Sequence, residues 1–165
     1  MDIQLQKSQI KPSSSITITG SKSESNRLLL MQSLYSGIKI DNISNSDDPH
    51  LMQNALKSSD ELIDIHHAGT AMRFLTAYFS IQERRQTILT GSSRMKERPI
   101  AVLVDALKDL GAEIEYLEND GFPPLKIIGR KITLSKVSLK ANVSSQYISA
   151  LLLIASRLEL SLIHI

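Results

Sequence analysis

The chain has 165 residues, of which 42% are hydrophobic, 22% charged and 4% aromatic, with a formal net charge of +2. These values are typical of one globular domain, and they disfavour a disordered chain or a general polyanion partner. The absence of cysteine excludes disulfides, thiolate metal sites and a cysteine nucleophile, while the scarcity of aromatic residues disfavours modules that stack nucleic-acid bases. Because no apolar run could span a membrane or serve as a signal peptide, we expect a soluble cytoplasmic protein.

The hydrophobic pattern predicts alternating strands and helices along the chain. Helices are expected where an apolar run follows a capping serine or an early proline, and strands where β-branched and polar residues alternate. In chain order, the predicted elements are a strand from Ile3 to Leu5, a strand over 15–19, a helix over about 24–36 that Ser23 caps and Gly37 ends, a strand over 38–43, a helix opened by "SDDP", a strand over 61–67, a helix over 71–80, a strand over 86–91, a helix over 99–110, strands over 112–118, 125–129 and 137–143, and a helix over 144–158.

An internal repeat underlies this order. Three segments each join a strand end, a turn of small residues and an apolar helix: "TGSKSESNRLLL", "HAGTAMRFLTAYF" and "NVSSQYISALLLIA". Each of these strand-to-helix turns is called a corner below. The first two are followed by a strand and a second helix that a proline opens, "DDPHLMQNAL" and "ERPIAVLVDAL". We therefore predict an α/β (α+β) fold of repeated strand-helix-strand-helix-strand-strand units, used twice in full and begun a third time at Val143.

Each repeat also presents a helix amino terminus, where unpaired backbone N–H groups favour an anion. Taken singly, Ser23, Thr70 and Ser144 are explained as ordinary helix caps. Basic residues lie beside the corners, however: Lys22 and Arg27 at the first, Arg73 one turn into the second helix, and Arg94, Lys96 and Arg98 in the loop before a later helix. Basic corners at equivalent places predict a pocket for a small, multiply charged anion.

Four motifs, "GSKSESNR", "AGTAMR", "RMKERPI" and "VSSQY", resemble in order and spacing the amino-terminal half of the 5-enolpyruvylshikimate-3-phosphate synthase family. The connecting segments and the final helix match as well, as far as about Glu159. The resemblance implies an enzyme that transfers the enolpyruvyl group of phosphoenolpyruvate to the 5-hydroxyl of shikimate 3-phosphate, releasing phosphate, on the route to chorismate and the aromatic amino acids. It implies no metal or organic cofactor, no nucleic-acid partner and a monomeric whole enzyme.

The resemblance also implies a division of the chain and a set of site residues. Two similar domains of three units each would enclose the substrates, with residues 1–14 as an opening strand that joins the second domain and residues 15–159 as a substrate-binding domain with an incomplete third unit. Lys22 resembles the catalytic lysine that contacts both substrates. The implied contacts to shikimate 3-phosphate are Lys22, Ser23, Arg27, Ser144, Ser145 and Gln146, and those to phosphoenolpyruvate are Lys22, Gly69, Arg98 and Gln146, with Thr70 and Arg73 lining that site.

Three features depart from the family pattern. His67 stands where many relatives have Asn, and Phe74 where many have Pro. The adjacent pair His66 and His67 invites a metal site, but neighbouring strand residues face opposite ways, so we expect none. The ending "LSLIHI" (160–165) does not continue the family sequence. We expect these six residues to be a non-native tail, and we expect the chain alone to be inactive, because the family's acid and base lie in the carboxy-terminal half.

The residues leave other functions open. A UDP-N-acetylglucosamine enolpyruvyl transferase-like enzyme would share the fold, although "GSKSESNR" with "VSSQY" fits the shikimate branch better. An RNA-binding module that grips its ligand through "SRMKER" is a second possibility, and a steep salt dependence of binding would favour it. A third is an inert or binding-only fragment.

Overall fold

The computed structural model describes residues 3–4, 6–9, 12–134, 136–139 and 144–158. Its elements in chain order are α1 (Lys22–Leu34), α2 (Asp47–Lys57), β1 (Leu62–Asp64), α3 (Gly69–Ser80), β2 (Gln86–Thr90), α4 (Ser93–Lys96), α5 (Ala101–Asp109), β3 (Glu113–Tyr116), β4 (Leu125–Ile128) and α6 (Ser145–Ala155). Within these described ranges, no helix is long and apolar enough to cross a membrane.

The strands form one mixed sheet in the order β1-β2-β4-β3. Strands β1 and β2 run parallel, with α3 as the crossover between them, and β4 is antiparallel to both β2 and β3. Because side chains alternate along a strand, the paired residues Ile63 and Leu89 fall on one buried face of the sheet. Ile114 and Ile127 continue this face, which supplies one wall of the core.

Helix α3 is the centre of the molecule. All of its residues except Thr70 are buried, including the fully buried rings of Phe74 and Phe79. It packs against the sheet on one side and against α1, α2, α5 and α6 on the others. A helix with apolar side chains on all of its faces must be enclosed in this way. The position of Gly69, its first residue, is therefore fixed by the whole core.

The start of α1 differs from the sequence-based prediction. Ser23 was predicted to cap the helix, but the cap is Ser21, whose hydroxyl accepts a hydrogen bond from the backbone N–H of Glu24. Ser21 has the extended backbone that an N-cap requires, so the helix begins at Lys22 and Ser23 lies inside its first turn. Of the three predicted caps, only Ser144 is one, because Thr70 also lies inside its helix.

The repeat is complete only in its second unit, which contains β1, α3, β2, α5, β3 and β4. The first unit has both helices, but segments 15–19 and 38–43 are not strands, and the prediction of two complete units is wrong in this respect. Ile16 and Ile18 are 83% and 75% exposed. An alternating pattern becomes a strand only when a neighbouring strand pairs with its backbone, and no described strand pairs with these segments.

Smaller differences lie in the loops and termini. The predicted loop "SSRMKER" contains the one-turn helix α4, which Ser92 caps by accepting from the N–H of Met95. The described residues up to position 14, and residues 137–139, are not in strands. That residues 1–14 join a second domain stays a prediction. Leu5, segment 140–143 and the tail 160–165 lie outside the described residues.

Substitution of Phe79 tests the role of α3 as the centre of the core. The ring is fully buried, lies edge-on to Tyr78 with centroids 5.3 Å apart, and carries the guanidinium of Arg85 4.5 Å from its centre. Phe79→Ala should lower the free energy of unfolding by about 3–5 kcal/mol in urea titrations, because it leaves a cavity. Leu152→Ala, at a helical position that is 42% exposed, should cost only about 1 kcal/mol. Equal costs would show that α3 is not the core helix.

Candidate active site

The amino-terminal turns of α1, α3 and α6 come together on one side of the core. The side-chain amide of Gln146 in α6 donates to the hydroxyl of Thr70 in α3 at 3.5 Å. Nη2 of Arg27 in α1 donates to the hydroxyl of Ser149 in α6, also at 3.5 Å. The guanidinium of Arg27 lies 5.7 Å from the centre of the Phe74 ring in α3. Three positive helix ends therefore surround one region, as the repeat predicts.

Lys22 and Arg27 place two cations in this region from the same helix. Nζ of Lys22 lies 3.8 Å from Oδ2 of Asp48, which is in the first turn of α2, and half of the lysine side chain remains exposed. Nη1 of Arg27 donates to the backbone carbonyl of Ser23 at 2.9 Å. Both cations are thus oriented by the protein and retain N–H groups that can reach a ligand.

The second corner is organised by the buried side chain of Arg73. Nη1 donates to the carbonyl of Gly69 at 2.7 Å, while Nε has no hydrogen-bond partner among the described residues. The guanidinium also lies 5.8 Å from the centre of the Tyr147 ring. Burial lowers the pKa of Arg73, Tyr147 opposes that shift, and the nearby charge of Arg98 adds to it. A buried cation held in this way makes the corner strongly electropositive.

The missing side chain of Gly69 leaves space that two guanidinium groups occupy. A β-carbon at this position would lie 2.8 Å from Cζ of Arg98 and 2.9 Å from Nη1 of Arg73. The sequence predicted a glycine that lets backbone approach a ligand, and the structure adds a different reason. The missing side chain leaves room for Arg98, which places that arginine directly beside the amino terminus of α3.

The third corner belongs to α6. The hydroxyl of Ser144 caps the helix by accepting from the backbone N–H of Gln146 at 3.2 Å, so its own hydrogen remains available to donate. Ser145 is exposed at the first helical position, and Gln146 is half buried. The predicted serine pair therefore lies at a helix amino terminus, where oxygen atoms of an anion are favoured.

Some predicted residues lie elsewhere or have other partners. Lys96 forms an ion pair with Glu118, which lies between β3 and β4. This pairing weakens the case for a nucleic-acid grip through the "SRMKER" segment. Nε2 of His67 lies 3.7 Å from Oδ2 of Asp47, and both side chains are largely exposed. No group of three potential metal ligands occurs in the part of the chain that the structure describes.

Two residues of the site were not singled out from the sequence. Asn26 is fully buried, and neither atom of its side-chain amide finds a partner among the described residues. Tyr147 is buried beside Arg73, and its hydroxyl donates to the carbonyl of Pro99 at 2.8 Å. In the sequence, Tyr147 lies at the start of an apolar helical run and is typical of a core position, whereas Asn26 lies among polar residues and is typical of an exposed one. The tyrosine hydroxyl beside an apolar run was the one available signal, and nothing in the local sequence indicates that Asn26 is buried.

Taken together, these features define an α/β domain that gathers cationic side chains and helix amino termini around one anion-binding region. Comparison with known sequences identifies its relatives. The sequence profile of EPSP synthase (3-phosphoshikimate 1-carboxyvinyltransferase) matches residues 56–165. The chain belongs to the EPSP synthase family. This membership favours the shikimate branch over the UDP-sugar branch of enolpyruvyl transferases.

Individual relatives agree with this membership. The 3-phosphoshikimate 1-carboxyvinyltransferase of Bacteroides fragilis is 54% identical over 153 residues, which cover 92% of this chain and 37% of the relative. That of Colwellia psychrerythraea is 43% identical, covering 87% and 40%. The chain thus spans about two fifths of the length of these relatives. A solved structure of EPSP synthase from Acinetobacter baumannii has the same fold, with a TM-score of 0.73 over 84% of this chain and 37% of that one, at 22% identity.

Proposed function

We propose that this chain supplies the shikimate 3-phosphate side, and part of the phosphoenolpyruvate side, of an enzyme that transfers an enolpyruvyl group from phosphoenolpyruvate to shikimate 3-phosphate. The observation that carries the proposal is the meeting of the amino-terminal turns of α1, α3 and α6, with Lys22, Arg27 and Arg98 beside them. Both substrates carry a phosphate and a carboxylate, so each needs several fixed positive groups. Family membership makes these two anions the natural candidates.

Shikimate 3-phosphate is assigned to the α1 and α6 corners. The hydroxyls of Ser144 and Ser145, with the free N–H groups at the start of α6, suit its phosphate. The planar fork of Arg27 suits its carboxylate, and Ser23 lies one helical turn away on the same helix. Gln146 faces the α3 corner through Thr70 and can contact both ligands.

Phosphoenolpyruvate is assigned to the α3 corner. Arg98 lies against Gly69 there, and Arg73 and Thr70 line the same position. Lys22, half exposed and held near Asp48, is placed to contact both substrates as the catalytic lysine. A lysine is suited to this shared role because its ammonium group is a compact charge with three donors.

The reaction in this scheme is an addition of the hydroxyl to phosphoenolpyruvate, followed by an elimination of phosphate. The 5-hydroxyl oxygen bonds to C2 of phosphoenolpyruvate and loses its proton, while the methylene carbon gains one. The resulting tetrahedral intermediate keeps both the carboxylate and the phosphate, so it is crowded and strongly anionic. Loss of phosphate, with loss of a proton from the new methyl group, gives the enol ether product. Fixed cations in a closed site stabilise such an intermediate far more than water does.

The proposal extends to the organisation of the whole enzyme. Residues 15–159 form one substrate-binding domain, and residues 1–14 join a second domain that supplies the acid, the base and the other half of the cleft. The whole enzyme acts as a monomer on small molecules, without a metal or organic cofactor, nucleic acid or membrane. The chain alone should release no phosphate, because it lacks these groups and the closed cleft.

Replacement of Lys22 by Met tests the proposed function most simply. The change keeps the bulk of the side chain and removes the charge shared by the two anions. In the whole enzyme that contains this chain, Lys22→Met should lower kcat about 10²- to 10³-fold in an assay of phosphate release. Lys57→Met, at the exposed last turn of α2, is the matched control and should leave kcat unchanged. Near-normal turnover by Lys22→Met would exclude the catalytic role.

Replacement of Gly69 by Ala tests the assignment of phosphoenolpyruvate to the α3 corner. The new methyl group must displace the guanidinium of Arg98. We expect the KM for phosphoenolpyruvate to rise roughly 10- to 100-fold, with the affinity for shikimate 3-phosphate unchanged. Gly111→Ala is the control, because Gly111 has no atoms within 4 Å of its missing β-carbon and a φ of +100°. This control should lower the free energy of unfolding and leave the KM for phosphoenolpyruvate unchanged. Equal weakening of both substrates by Gly69→Ala would contradict the assignment.

A further inference from the structure

Tyr147 connects the two substrate sides of this region. It directly follows Gln146 in the first turn of α6, yet its side chain points into the core and is only 3% exposed. Its ring lies beneath the guanidinium of Arg73, with 5.8 Å from Cζ to the ring centre. Its hydroxyl donates to the carbonyl of Pro99 at 2.8 Å. One side chain of α6 thus touches both α3 and the loop that follows α4.

The contact with Pro99 matters because Pro99 directly follows Arg98. The guanidinium of Arg98 is packed against Gly69, and its backbone N–H donates to the carbonyl of Met95 at 3.0 Å. The hydroxyl of Tyr147 therefore fixes the far side of the same short loop. Without that bond, the carbonyl of Pro99 would lose a partner in a partly buried setting. The Pro99–Ile100 peptide group would then be held only through the N–H of Ile100, which donates to the carbonyl of Gly121 at 2.9 Å.

We propose that the hydroxyl of Tyr147 positions Arg98 for phosphoenolpyruvate, so that helix α6 sets the geometry of both substrate sides. This inference rests on the proposed function. Tyr147 is a positioning residue, since its buried hydroxyl bonds the loop and adjoins the guanidinium of Arg73 rather than the ligand. The shikimate 3-phosphate groups at the start of α6 do not depend on the hydroxyl, because Ser144 caps the helix independently. The two sides should therefore respond differently when the hydroxyl is removed.

The test is Tyr147→Phe in the whole enzyme that contains this chain. The ring remains under Arg73, so the fold should be kept. We expect the KM for phosphoenolpyruvate to rise about 3- to 10-fold, which is the loss that one neutral hydrogen bond can produce. The kcat, and the dissociation constant of shikimate 3-phosphate measured by calorimetry without phosphoenolpyruvate, should stay within about twofold.

Tyr35→Phe is the matched control. Tyr35 also bonds α6 through its hydroxyl, but to Ser156 at the opposite end of the helix. This variant should leave the KM for phosphoenolpyruvate unchanged. Melting temperatures of both variants separate positioning from stability, since a purely structural hydroxyl would lower the melting temperature and leave the KM unaltered.

The outcomes are distinct. A selective rise in the KM for phosphoenolpyruvate in Tyr147→Phe alone supports the proposal. An unchanged KM, or an equal weakening of both substrates, overturns it while leaving the proposed function intact. A wild-type enzyme that binds neither substrate and releases no phosphate overturns the proposed function, and the positioning role with it.

Discussion

The buried guanidinium of Arg73 is the constraint on which the rest of the site depends. A cation that is only 7% exposed must be compensated by the protein. Its partners are the carbonyl of Gly69 and the ring of Tyr147, which belong to two different helices. Meeting this requirement brings the amino terminus of α6 onto that of α3. The same contacts leave beside Gly69 the space that Arg98 fills.

Positive charge is concentrated where the three helices meet. The amino ends of α1, α3 and α6 each carry unpaired N–H groups, and Lys22, Arg27 and Arg98 add full charges to the same region. Among the described residues, Asp48 forms an ion pair with Lys22 at 3.8 Å. Anions that carry both a phosphate and a carboxylate can neutralise such a concentration of positive charge. Repetition of one structural unit is what brings equivalent helix ends together.

The sequence predicted the longer helices, because their signals are local. Glycine corners, early prolines and apolar periodicity located α2, α3, α5 and α6 to within a few residues. Segments 15–19 and 38–43 were predicted wrongly as strands, since an alternating pattern cannot reveal whether a neighbour is present to pair with it. The roles of Tyr147 and of Gly69 beside Arg98 depend on contacts between residues far apart in the chain, which no local pattern encodes.

A crystal structure of the whole enzyme with bound shikimate 3-phosphate tests the central claim most directly. The claim predicts that the phosphate lies within hydrogen-bonding distance of Ser144 and Ser145 at the start of α6. It further predicts that the carboxylate contacts Arg27, and that Lys22 faces the 5-hydroxyl. A ligand bound away from the three helix amino termini, or one whose phosphate lies on other residues, would contradict it.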